Sequence, residues 1–138
     1  MSAERHKVLV ARFYDELWNR GDTRIADELF AREYVRHDFR PGTPPPGPEG
    51  QKVIALAFRS AFSDFRLEVD FMVADESYVV ARWVIHGTHR GTWGGVEATG
   101  RPVSFFGVNI FRFDQDKVVE LWNHRDDLGL MQQMGASV

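Results

Sequence analysis

Asn109, His124 and Asp126 lie in the last third of the chain, in two segments of alternating apolar residues, and their types suit acid–base chemistry at a carbonyl. Pro102 to Phe113 and Val118 to Arg125 read as the arms of a β-hairpin turning through Asp114 to Lys117. If Phe113 pairs with Val118, opposed residue numbers keep a constant sum, so Asn109 faces Trp122, Gly107 faces His124 and Phe105 faces Asp126. All six then share one polar and aromatic face, with Gly107 leaving room beside His124, while Phe106, Val108, Ile110, Val119 and Leu121 share an apolar one. A bulge would shift this register. Set among rings, the Asp126 carboxyl group is suited to taking a proton from carbon beside a carbonyl and returning it. His124 could act as general base or orient Asp126, and Asn109 could donate to a developing oxyanion. Each has a structural alternative: Asp126 or Asp127 as a helix cap, His124 as a hydrogen-bonded structural histidine, Asn109 as partner to a backbone group.

Aromatic residues supply the second signal. Eleven Phe, four Trp and three Tyr exceed what a core of this size needs, and surplus rings line ligand cavities. Trp18, Phe58, Phe62, Trp83, Phe105, Trp122 and Met131 are the candidates for contact with an apolar or aromatic small molecule, with His37 at the cavity mouth. An ordinary turn role competes for His37. His86 and His89 are an odd number apart, so a strand points them to opposite faces and no metal site is expected. Arg82 could pair with a substrate oxygen or with Glu68, and the ion pair is the expectation. No phosphate-binding glycine loop and no serine nucleophile motif occurs.

The elements that must position these residues follow from periodicity. Val10, Phe13, Tyr14, Leu17 and Trp18 form the stripe of an amphipathic helix over 3–20, ended by Gly21. A short second helix carries Ile25, Leu29 and Phe30, and Tyr34 to Phe39 is too polar and short to extend it. Pro41 to Gly50, with five prolines, reads as an exposed loop or lid, and a third helix follows over 49–62. From Phe65 the period changes to two, with Phe65, Leu67, Val69, Phe71 and Val73 on one face; Tyr78 to about His89 and the hairpin complete four antiparallel strands. Leu128, Leu130, Met131 and Met134 mark a terminal helix. Glycines inside strands, Gly87 and Gly107, suggest bends that curl the sheet around its helices. The expected fold is α+β: a cone-shaped barrel of a curved antiparallel sheet packed against N-terminal helices, as a single domain over 1–138.

A net charge of −3 with scattered Lys and Arg gives no electrostatic footprint for nucleic acid or an anionic membrane. The absence of cysteine excludes disulfides and thiolate metal sites. With a polar MSAERHK start and no run of about 18 apolar residues, a soluble cytoplasmic protein is expected.

Six stretches carry a family resemblance: FYDELWNRGD at 13–22, LFAREYVRHD at 29–38, PPGPEG at 45–50, VARWVIHGTHRG at 80–91, ATGRPV at 98–103 and KVVELWNHRDDLGLMQQMG at 117–135. In order and spacing the chain resembles the SnoaL-like polyketide cyclases of the nuclear transport factor two-like superfamily. The resemblance implies a cone-shaped, often dimeric α+β barrel that works without metal or organic cofactor on a hydrophobic or aromatic small molecule. It also implies that Asp126, four residues after Trp122, is acid and base in an intramolecular aldol ring closure, with His124, Asn109 and His37 positioning oxygens. The alternatives are cofactor-independent hydroxylation of an aromatic polyketide and non-catalytic ligand binding.

Overall fold

The computed structural model describes residues 2–37 and 45–136. Ser2 starts helix α1 (Ala3–Arg12) by accepting the Arg5 N–H on its hydroxyl oxygen at 3.1 Å. The expected single helix then widens into a π-helical segment, Phe13–Asn19, that buries Phe13, Tyr14, Leu17 and Trp18. Gly21, at φ 71°, turns the chain into α2 (Arg24–Leu29). Phe30 is no part of that helix: it opens strand β1 (Phe30–His37), so a segment expected to be irregular is extended. Helix α3 (Pro48–Ala61) begins with proline in its first turn, where the missing N–H costs nothing. The proline-rich loop lies largely outside the described residues, and with it the question of a lid.

Strands β2 (Phe62–Ala74), β3 (Tyr78–His89), β4 (Pro102–Asp114) and β5 (Lys117–Arg125) form the antiparallel meander expected from the sequence, and α4 (Asp127–Gln133) follows. The barrel is corrected. The sheet order is β1-β5-β4-β3-β2, with β1 joining β5 in parallel, so the sheet is mixed and open, with β1 and β2 as its edges. Closure would require those two edges to pair with each other.

The hairpin register is corrected too. Phe113 does pair with Val118, but Arg112 then pairs with Glu120, leaving Val119 as an extra residue. Beyond this bulge Asn109 faces Asn123, Val108 faces His124 and Gly107 faces Arg125. One inserted residue exchanges the faces of the whole outer half of β5. Leu121, Asn123 and Arg125 therefore point inward with Phe105, Gly107, Asn109 and Phe111, while Trp122 and His124 go outward with Phe106, Val108 and Ile110. A second bulge at Asp70 does the same to β2: Phe65, Leu67 and Val69 face the core, whereas Phe71 and Val73 are exposed and Met72 and Ala74 pack inward. The concave face meets the π-helical segment and α3, and the aromatic core fills the gap between these layers.

Candidate functional site

The π-helical segment and α3 lie over the inner sheet face and leave a narrow cavity, about 370 Å³ of free space when its open mouth is counted and with room inside for about one water molecule. Its walls are aromatic and aliphatic: Phe13, Tyr14 and Trp18 from the π-helical segment, Ile54 and Phe58 from α3, Leu67, Trp83, Ile85 and Leu121 from the sheet. Polar groups enter at Arg36, Gln51, Asn109, Asn123 and Arg125.

Asn109 sits at the centre of a buried hydrogen-bond network. Its Oδ1 accepts from the Tyr14 hydroxyl at 2.6 Å and from Trp83 Nε1–H at 2.7 Å, while its Nδ2 donates to Asn123 Oδ1 at 2.8 Å. Burial pushes the Tyr14 phenol well above its ordinary value of 10, so it stays a neutral donor to Asn109. The close approach of Trp83 depends on Gly107: a Cβ there would overlap the indole and lie 2.7 Å from the His124 carbonyl oxygen. Gly107 thus makes room for Trp83, not for the His124 side chain.

Two further groups define the wall. Arg125 is only 8% exposed; its Nε donates to Asp127 Oδ1 at 2.6 Å, and its guanidinium carbon lies 4.6 Å from the Phe58 ring centre and 5.9 Å from that of Trp93. Trp18 packs on Phe58 and Phe65, with ring centres at 5.5 and 6.0 Å. Its indole N–H is buried without an acceptor among the described residues. The segment carrying Trp18 is held from both ends, because Asn19 exchanges two hydrogen bonds with the Leu67 backbone, at 2.7 and 2.9 Å, and Arg59 donates to the carbonyls of Trp18 and Asn19.

Of the residues expected from the sequence, Trp18, Phe58, Trp83 and Asn109 come together on this wall. Phe62 and Phe105 are buried one layer behind, against Phe58 and each other at about 6 Å between ring centres. Met131 packs beside Gly94 at the neighbouring loop. Trp122 and His37 stack on each other on the outer face, ring centres 4.8 Å apart, and His37 meets Glu120 Oε2 at 2.8 Å. Glu120 also accepts from Arg112 Nε at 2.6 Å, and these two partners, His37 first, hold its carboxyl below its ordinary 4.5. His124 is exposed on that same outer face. Asp126 is the N-cap of α4, with Oδ1 accepting the Gly129 N–H at 2.9 Å, and it lies off the cavity wall. Arg82 pairs with Asp70 instead of Glu68, since the Asp70 bulge brings that side chain round to it. His86 bonds the Ser104 hydroxyl and the buried His89 bonds Thr99, on opposite faces; among the described residues no three His, Cys, Asp or Glu gather as a metal cluster.

Sequence reasoning did not find Tyr14, Arg36, Gln51, Asn123 and Arg125 as wall residues. The signal for two of them was present in the alternation Leu121, Asn123, Arg125, which reads inward once the bulge is placed at Val119.

A family model described as SnoaL-like polyketide cyclase matches residues 8–134. Among curated proteins none matches. Solved structures agree over nearly the whole chain. TsrD from Streptomyces laurentii is 28% identical, with a TM-score of 0.88 and coverage of 97% of each chain. AclR from Streptomyces galilaeus, a candidate hydroxylase, is 28% identical with a TM-score of 0.83, covering 97% of this chain and 98% of its own. IdmH from Streptomyces antibioticus, a candidate polyketide cyclase, is 28% identical with a TM-score of 0.79, covering 95% and 99%.

Proposed function

We propose that this chain, which belongs to the SnoaL-like polyketide cyclase family, is a cyclase- or hydroxylase-type enzyme that takes a small aromatic polyketide-like molecule into the cavity beneath Trp18 and Phe58. The observation that carries this reading is the wall itself: stacked rings to hold a planar ligand, interrupted by nitrogen donors that suit an oxygen acquiring charge.

Ring closure is the first choice. A proton leaves a carbon flanked by carbonyls, the resulting enolate carbon attacks a second carbonyl of the same molecule, and the alkoxide so formed is protonated. Arg125 faces the developing enolate oxygen from beside Phe58. Asn109 positions Trp83, Tyr14 and Asn123 around the ligand, its Oδ1 accepting from Tyr14 and Trp83 and its Nδ2 donating to Asn123. Asp126, which follows the wall residue Arg125 in the chain without itself lining the cavity, is the carboxylate proposed to take and return the proton from a ligand that reaches past Arg125. What supports it is the spacing from Trp122 and the family resemblance, and its bond to the Gly129 N–H holds the carboxyl group in one orientation. Hydroxylation is the second reading, supported by the likeness to AclR.

The test is turnover of a panel of aromatic polyketide esters by the wild type and by Asp126→Asn, followed by mass spectrometry and an oxygen electrode. Asparagine is as good an N-cap as aspartate, so the helix is kept while the proton acceptor is removed. Turnover without oxygen uptake that falls at least 100-fold in the variant supports acid–base cyclisation by Asp126. Intact turnover in the variant assigns Asp126 to capping alone, and stoichiometric oxygen uptake replaces cyclase with hydroxylase. We also propose that the chain works as a homodimer joined through the outer sheet face, where Phe71 and Phe106 are 54% and 44% exposed.

A further inference from the structure

We infer that residues 92–98 form a flap over the cavity and that Trp93, at its tip, is the plug an aromatic ligand must displace: the indole packs on Phe58 and Arg125 in the free protein, and a ligand ring takes over that contact. This rests on the reading of the cavity as the substrate site and adds the route into it and the residue that gates the route.

Size is the first observation. An apolar space of about 150 Å³ holds a ring the size of benzene. The inside of this cavity takes about one water molecule, so part of its wall must move before an aromatic ligand fits. Most of the wall is fastened. The strands are joined by backbone ladders, and the π-helical segment is tied to β2 by the two Asn19 bonds to Leu67 and to α3 by Arg59. Strand β1 is tied to α3 where Gln51 Nε2 donates to the Tyr34 hydroxyl oxygen at 3.1 Å, with both side chains buried.

The exception lies behind Phe58 and Arg125. Both line the cavity, and half-buried Trp93, itself off the wall, packs against both, with its ring centre 4.1 Å from that of Phe58 and 5.9 Å from the Arg125 guanidinium carbon. Trp93 opens a two-residue hairpin turn. It exchanges backbone hydrogen bonds with Val96 at 3.0 and 2.9 Å, and Gly94 and Gly95 between them take φ of 57° and 79°, as the tight hairpin turn requires. The turn is therefore held by its own bonds. Among the described residues, 92–98 makes no hydrogen bond to the rest of the protein: it rests on Trp93 against Phe58, Phe62 and Arg125, and on Gly94 against Met131 of α4. Its flanks, by contrast, are pinned. The Arg90 and Gly91 N–H groups both donate to the Ala61 carbonyl at 2.9 Å, the Gly100 N–H donates to the His89 carbonyl at 2.8 Å, and Thr99 bonds the His89 ring. A self-contained turn between two pinned flanks, held only by side-chain packing, is the part of this wall that opens at least cost. Lifting it uncovers Arg125, the wall residue next to Asp126 in the chain, and so opens the cavity on the side of the proposed proton acceptor.

The experiment measures binding kinetics and not turnover. The probe is methyl 1-hydroxy-2-naphthoate, a planar two-ring ester, and its own fluorescence in a stopped-flow instrument follows its binding. In the wild type the observed rate is expected to level off as probe concentration rises, because opening precedes entry. That plateau needs no variant, and a rate that climbs linearly to the limit of mixing overturns the inference. Trp93→Ala removes the plug and keeps both turn glycines; it is expected to lift the plateau about tenfold or more and to bind the probe more tightly, since the closed state no longer competes with the ligand. Trp93→Phe should fall between the two. A Trp93 that merely packs or contacts the ligand would give the opposite, weaker binding with association unchanged, and that result overturns the gate. Ile54→Trp, which fills the cavity, separates this inference from the reading it rests on. If it abolishes binding while Trp93→Ala associates at the wild-type rate, the gate alone is refuted. If it binds the probe as the wild type does, the ligand site lies elsewhere and the cavity reading fails too. Binding by Trp93→Ala and not by the wild type supports the plug; binding by neither refutes it.

Discussion

At the residue scale, Asn109 and Gly107 show how much of the cavity is built by groups that need not touch a ligand. Asn109→Ala strands the Tyr14 hydroxyl and the Trp83 N–H, at about 1–3 kcal/mol for each buried donor left unpaired. Asn109→Asp keeps the oxygen that accepts both bonds but sets a second oxygen against Asn123 Oδ1 and buries a charge, so it is expected to recover little of that loss, which urea denaturation of the two variants would measure. Gly107→Ala drives a methyl group into the Trp83 indole and is expected to cost about 1–3 kcal/mol with a shifted tryptophan fluorescence maximum. Asp126 separates capping from chemistry in the same way: Asp126→Ala should lower stability by about 1 kcal/mol, while Asp126→Asn should leave it unchanged. The type of each of these side chains was legible in the sequence, and so was the capping alternative for Asp126. The crowding at Gly107 was legible only as room beside a neighbour, since which neighbour depends on register.

At the element scale, two insertions of a single residue decide which side chains see the cavity. Val119 and Asp70 are unremarkable in the sequence, because a bulge leaves no mark on alternation until it is known where alternation breaks. Strand limits were legible to within a residue or two at β3, β4 and β5, whereas the polar β1 carried no strand period and takes its conformation from its parallel partner β5. That pairing is reinforced on the outer face by His37, Glu120 and Arg112. Since the Glu120 carboxyl is held below 4.5, its stabilising contribution is complete above that value and is lost as pH falls through the lower, folded one. Wild-type melting temperature should therefore drop below about pH 4.5, and Glu120→Gln should flatten that part of the curve. On the opposite side, Asn19→Ala removes both bonds to Leu67 and is expected to raise hydrogen exchange across the π-helical segment ahead of global unfolding.

At the scale of the whole molecule, the open sheet presents an outer face that is partly apolar, with Phe71 and Phe106 exposed and Arg82 lying over the Phe106 ring at 4.9 Å. If this face joins two copies, light scattering will give twice 15.9 kDa for the wild type, and Phe71→Lys with Phe106→Glu will give the single value with the fold intact. Among the described residues no helix is long and apolar enough to cross a membrane. The α+β class and the run of elements from α3 onward were legible because helical and strand periods are separated there, whereas β1, set between α2 and α3, was not. The open edge was not, since four antiparallel strands alone are equally consistent with closure. The most direct measurement for the account as a whole is turnover of aromatic polyketides by Ile54→Trp, which fills the cavity from α3 at a partly exposed position outside the Asn109 network. Loss of turnover with the melting temperature kept within a few degrees would place the chemistry in the cavity beneath Trp18 and Phe58; undiminished turnover would contradict it.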